Sequence, residues 1–168
     1  AINPKKFLGR LSIPLKDPNF KPLLHFGLFW GFAINIASPF FLVFMIDDLS
    51  LSFFMVSIFL VIDAIARIYG LSFWRKIADS FGAKPLLMVS ATVTSAFPIT
   101  FMLINTKNYF LIAPLFVISA FSYAAIDITL AQILFKSAPR KHDAYYLSTF
   151  TSLIGITSSL GPIVAGFF

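Results

Sequence analysis

The 168-residue chain contains no cysteine, no glutamate and only two histidines. Without cysteine there can be no disulfide, no thiolate metal site and no thiol nucleophile. His25 and His142, with seven scattered aspartates, do not assemble a metal centre or a hydrolytic constellation. No glycine-rich loop of the phosphate-cradling kind occurs, which speaks against ATP hydrolysis by the chain itself. The sequence is therefore read as non-enzymatic, with no catalytic residue, metal or cofactor. Charge is also scarce: 12% of residues, where a soluble domain carries about 25%.

Apolar residues fill the gap. They make up 58% of the chain, phenylalanine alone occurs 22 times, and mean hydropathy is +0.88. So few polar side chains cannot cover a water-facing surface, and the bilayer becomes the main solvent. The chain starts on Ala1 without an initiating Met and stops inside an apolar run at Phe167-Phe168. It reads as a fragment of a longer protein.

Marking each charge leaves five stretches long enough for the roughly 20 helical residues that cross the hydrocarbon. They lie at about 23–46, 51–74, 85–106, 109–135 and 144–168. Helix is the expected form, because lipid offers the backbone no hydrogen-bond partners. Barrel strands would alternate apolar with polar residues. The run Leu111-Ile112-Ala113-Pro114-Leu115-Phe116-Val117-Ile118 does not. The predicted fold is all-α, a polytopic transmembrane bundle over 23–168 preceded by a basic interfacial linker at 1–22. Pro4, Pro14, Pro18 and Pro22 bar a long helix from that linker. Its lysines are placed to meet anionic lipid.

Short connections make neighbouring helices antiparallel, so the charges can be assigned to sides. One side collects Lys5, Lys6, Arg10, Lys16 and Lys21, then Arg75, Lys76 and Lys84, then Lys136, Arg140 and Lys141. The other holds Lys107, beside the acidic pair Asp47-Asp48. Cytoplasmic loops gather Lys and Arg, so the leading segment and basic loops are expected inside. The bases are spread over three loops of one face, which disfavours nucleic acid as a partner.

The connection Arg75-Lys76-Ile77-Ala78-Asp79-Ser80-Phe81-Gly82-Ala83-Lys84-Pro85-Leu86-Leu87 has a recognisable arrangement. It resembles the loop motif Gly-x-Leu-Ala-Asp-Arg-x-Gly-Arg-Lys-x-x-Leu between the second and third helices of each six-helix half in the major facilitator superfamily of transporters. Asp79, Gly82 and Lys84 fall on motif positions; Arg75, Ser80 and Ala83 depart from it. Gly82 suits the positive φ of a tight reversal, and Pro85 the first turn of a new helix. The stretches Lys16 to Leu24, Ala37 to Phe41, Ala144 to Ser148 and Leu160 to Gly166 are similar to the linker, seventh helix and eleventh helix of many bacterial members. The resemblance implies helices seven to eleven of a 6+6 permease. The N-terminal six-helix half and the last helix would then be missing.

Three ionisable residues interrupt the spans: Asp63, Arg67 and Asp127. Each costs about 2.5–3.5 kcal/mol at a helix centre on insertion scales, so each needs a reason. Asp63 and Arg67 stand four apart on one helix face and could pair locally. Arg67 and Asp127 lie at similar depth and could instead pair across helices. A carboxylate left over could bind a proton or substrate. On the fourth span Ser119, Tyr123 and Asp127 recur every four residues as a polar stripe. The resemblance implies that the first and fourth helices of the half line a central cavity, which makes Asn35, Tyr123 and Asp127 candidates for the substrate path. Asp79, Gly82 and Lys84 would form the conformational gate. The implied activity is secondary transport of a small molecule across a bacterial cytoplasmic membrane, with proton or ion coupling. The rival reading is a non-transport membrane bundle, such as an assembly subunit or a lipid-handling protein.

Overall fold

A computed structural model describes residues 13–139 and 143–167, and the regular structure among them is entirely helical. Helix α1 (Lys21–Val43) runs on into a wider π turn, Phe44–Asp48. There the Leu49 N–H reaches back to the Phe44 carbonyl. Helix α2 spans Phe53–Phe81, α3 Ala83–Ser95 and α4 Phe97–Phe101. A 3-10 turn, Tyr109–Leu111, leads into α5 (Ile112–Ser137), and α6 spans Asp143–Ala165. Among the described residues, four helical segments are long and apolar enough to cross a membrane: Lys21–Asp48, Phe53–Phe81, Tyr109–Ser137 and Asp143–Ala165.

Local chemistry sets these boundaries. The Ser52 hydroxyl accepts the Met55 N–H at 3.3 Å and caps α2. At the far end Gly82 adopts φ +88°, a value that side chains oppose, and the chain reverses on that one residue. Helix α3 then starts at Ala83, with Pro85 in its first turn, as the sequence predicts. The charged stretch before Gly82 is not loop: Arg75, Lys76, Asp79 and Ser80 are the last two turns of α2. With 29 residues, α2 is about 43 Å long, well over the hydrocarbon thickness.

The region 85–106 differs from the unbroken helix expected of it. It is split into α3 and α4 at Ala96. Pro98 is the cause: it has no N–H to give the Thr94 carbonyl, and its ring crowds that carbonyl. Below it, Asn105 and Asn108 shape the reversal into α5, the Asn108 side-chain oxygen accepting the Asn105 N–H at 2.6 Å.

The chain divides into two compact units. One joins Ala1–Pro39 to Gln132–Phe168, and its described part pairs α1 as far as Pro39 with α6. Glycines allow this contact. A Cβ on Gly161 would sit 2.8 Å from the Asn35 carbonyl carbon, and one on Gly31 2.9 Å from Ser158 Oγ. Lipid tails are as apolar as the side chains, so such helices associate by close van der Waals packing.

The other unit is Phe40–Ala131. Its core joins Met45, Leu49, Val56, Phe59, Phe101, Ile104, Ile112 and Phe116. Phe41 meets Phe101 edge-to-face at 4.8 Å and Phe97 at 5.1 Å. Much of the chain's phenylalanine is thus spent on ring-to-ring packing, which is favourable without any water to expel.

Candidate functional site

Within the second unit, one face of α2 presents Arg67, Gly70, Trp74 and Ala78, spaced three, four and four residues apart. This is the period that keeps side chains on one helix stripe. The stripe packs along α5. A Cβ on Gly70 would lie 2.8 Å from the Ala124 Cβ and 3.1 Å from the Phe121 ring, so only glycine admits this approach. One turn on, the Trp74 indole N–H donates to the Phe121 carbonyl at 2.8 Å. Ala78 and Ala125 then close the seam with Leu86 of α3.

Register along this seam decides where Arg67 ends. Its Nη2 donates to Asp127 Oδ2 at 2.6 Å and its Nε to the same oxygen at 3.1 Å. The guanidinium also lies 5.7 Å from the centre of the Tyr123 ring, within cation–π range. Of the two pairings open to Arg67, the structure therefore has the one across helices. Asp63 stands one turn back along α2, half-buried, with no hydrogen bond among the described residues.

The pair is not sealed in protein: the Arg67 and Asp127 side chains are 43% and 45% exposed. A half-open ion pair in the middle of two membrane-length helices is poorly matched to lipid tails. It fits a water-filled or protein-covered face. Tyr123 is half-buried beside it, while Ser119 and Ser122 of the same helix turn into the packing and are buried.

Asn35 belongs to the first unit, and its amide donates to the Gly31 carbonyl of its own helix at 2.8 Å. That bond occupies one of its donors and leaves its oxygen available. Asp79 and Lys84 flank the Gly82 reversal, one in the last turn of α2 and the other in the first turn of α3, both exposed. A cavity of about 250 Å³ also opens in the second unit, between Leu103, Asn108, Leu111 and Ile118. Its lining is almost wholly apolar and includes none of the charged residues of α2 or α5, so it is not the candidate site.

Gly70 and Trp74 are the contributors that sequence reading passes over. A signal was present for the first. Glycine inside a helix costs about 1 kcal/mol against alanine and marks a close approach. Trp74 gave none, since its partner is a main-chain carbonyl 47 residues away.

The family model described as Major Facilitator Superfamily matches residues 23–168. No curated protein and no solved structure matches the chain.

Proposed function

Because this chain belongs to the major facilitator superfamily, a family of membrane transporters, we propose that it forms part of a secondary active transporter that moves a small solute by alternating access. It is a multi-pass membrane protein, and its first partner is the lipid bilayer. The spans at 23–46, 51–74, 85–106, 109–135 and 144–168 are assigned as helices seven to eleven. The basic segment at 1–22 serves as the linker from an N-terminal half. The basic ends of the helices face the cytoplasm of the cell membrane, on the positive-inside argument. Transport, rather than catalysis, is the proposed activity, and it calls on no cofactor.

The half-open Arg67–Asp127 pair carries this reading. Two carboxylates and one guanidinium meet at this depth, so the set has a surplus of negative charge. Arg67 is spent on Asp127, and Asp63 is left for a proton, an ion or a cationic part of the substrate to neutralise. While Asp63 is empty and ionised it competes with Asp127 for Arg67, one helical turn away. Binding a proton or cation at Asp63 would cancel that pull and leave the guanidinium on Asp127, and release would restore the competition. Tyr123 offers its ring to the guanidinium, and Asn35 is proposed as a polar contact on the substrate path. Asp79, Gly82 and Lys84 act as the gate at the cytoplasmic turn.

The test is uptake and efflux by the full-length protein in vesicles under imposed proton and sodium gradients. Asp127→Asn is expected to cut transport about tenfold or more. Asp63→Asn is expected to abolish gradient dependence while exchange at equal concentrations persists. Gradient dependence that survives in both variants would remove them as coupling residues. A reading frame that begins near Ala1, with no six helices upstream, would favour a non-transport bundle instead.

A further inference from the structure

Proline keeps residues 14–20 from forming one long helix, yet they are firmly held. Phe20 is fully buried, edge-to-face with Tyr146 at 4.9 Å and with Phe150 at 6.2 Å. Asp17 uses three oxygens at once. Its Oδ2 accepts the Tyr146 hydroxyl at 2.6 Å, and its Oδ1 accepts the Asn19 N–H at 2.9 Å. Its carbonyl accepts the N–H groups of Phe20 and Lys21, where α1 begins. One residue therefore sets the start of α1 and grips Tyr146 in the first turn of α6. Further along, Gly31 and Gly161 bring the same two helices to backbone contact.

We propose that residues 14–20 are a latch that fuses the N-terminal end of α1 to the N-terminal end of α6, so that the two helices swing as one lever instead of sliding past each other. The contacts carry this in two ways. Phe20 fills a ring pocket on α6, which blocks lateral separation. The Asp17–Tyr146 bond is short, charge-assisted and aimed along one direction, which blocks axial slip. A slip of one turn would also drive a side chain into the space that glycine leaves open at Asn35. The carboxyl of Asp17 is held below its ordinary range, first by the Tyr146 hydroxyl and then by the Asn19 N–H, so the latch stays charged under ordinary conditions. Its purpose rests on the transport reading, but its readouts need no transport, so the two can fail separately.

Spin labels at the exposed positions Lys16 and Leu147, as Lys16→Cys and Leu147→Cys in the full-length protein in proteoliposomes, report the latch by pulsed EPR. One narrow distance is expected, the same with a proton gradient of either sign. A second population displaced by about one helical turn, ~5.4 Å, would overturn the proposal. Amide exchange gives the second measurement. Tyr146→Phe keeps the ring and loses the hydroxyl, and should raise exchange at Phe20 and Lys21 about tenfold. Asp17→Ala should do at least as much, and the double variant no more than Asp17→Ala alone. Effects that multiply in the double variant would show that the bond does not carry the coupling.

Discussion

Arg67 has two acidic neighbours and serves one of them. The choice follows from what each offers. Asp127 approaches from another helix and lets two N–H groups converge on one oxygen at 2.6 and 3.1 Å. Asp63 shares the helix of Arg67, and a pair four residues apart must bend both side chains along the surface, for a gain of about 0.2–0.5 kcal/mol in isolated helices. Exchanging the charges as Arg67→Asp with Asp127→Arg should recover part of the transport that either single change removes. A coupling of about 1–3 kcal/mol, or 5–150-fold, is the range expected for such a contact. Vesicle uptake by the two single variants and the double variant checks it, and no recovery would mean that the pair is not used. Trp74→Phe isolates one hydrogen bond across the same seam. It should cost about 0.6–1.7 kcal/mol, read as a modest fall in the unfolding midpoint in detergent. Asp17 belongs to this scale as well. Its folded carboxyl lies below its unfolded value of about 3.9, so its stabilisation is complete above that value and fades as pH falls through the folded one. The protection factor of the Phe20 amide, its exchange corrected for the intrinsic rate at each pH, should stay level from about pH 8 to 5 and fall only below about pH 4.

At the scale of elements, glycine and proline decide which helices touch and which break. Gly161→Ala would push a Cβ to 2.8–2.9 Å from the backbone of Asn35 and Ile36, atoms that cannot turn aside. Overpacking of this kind costs about 1–3 kcal/mol. Gly155 lies on the same helix with nothing within 4 Å of its would-be Cβ. Gly155→Ala should be neutral or stabilising by up to about 1 kcal/mol. Unfolding of the two variants side by side separates helix contact from helix propensity, and equal effects would argue against the close α1–α6 crossing. Pro98 works the other way. It divides 85–106, and the five-residue α4 is held by Phe97 and Phe101 within the aromatic core as well as by its own few hydrogen bonds.

For the whole molecule, charge asymmetry sets the expected direction of insertion. Single cysteines at Lys84 and Lys136 should react with an impermeant maleimide only from the cytoplasmic side, and one at Lys107 only from outside. The chain contains no cysteine of its own to interfere. Labelling of Lys84 and Lys107 from the same side would refute the assignment. The helical character and the membrane family were legible in the sequence because both follow from solvent. Lipid demands long, uncharged, internally bonded segments, and that demand is written residue by residue. The seam between α2 and α5 was less legible. Gly70 hinted at it, but its Trp74 and Ala78 register shows only when the two helices are set side by side.

By itself the sequence determined that this chain is a set of apolar helices with basic ends, reversed at Gly82 and interrupted by three charges. Each of these properties is local, a matter of composition, of one φ angle or of spacing along a helix. Only the tertiary structure decided that Arg67 joins Asp127 rather than Asp63, and that Asp17 reaches Tyr146 across 129 residues. Partner choice depends on how far each helix is rotated and how closely it approaches its neighbour. Those quantities come from packing summed over whole interfaces, which no single stretch of sequence contains.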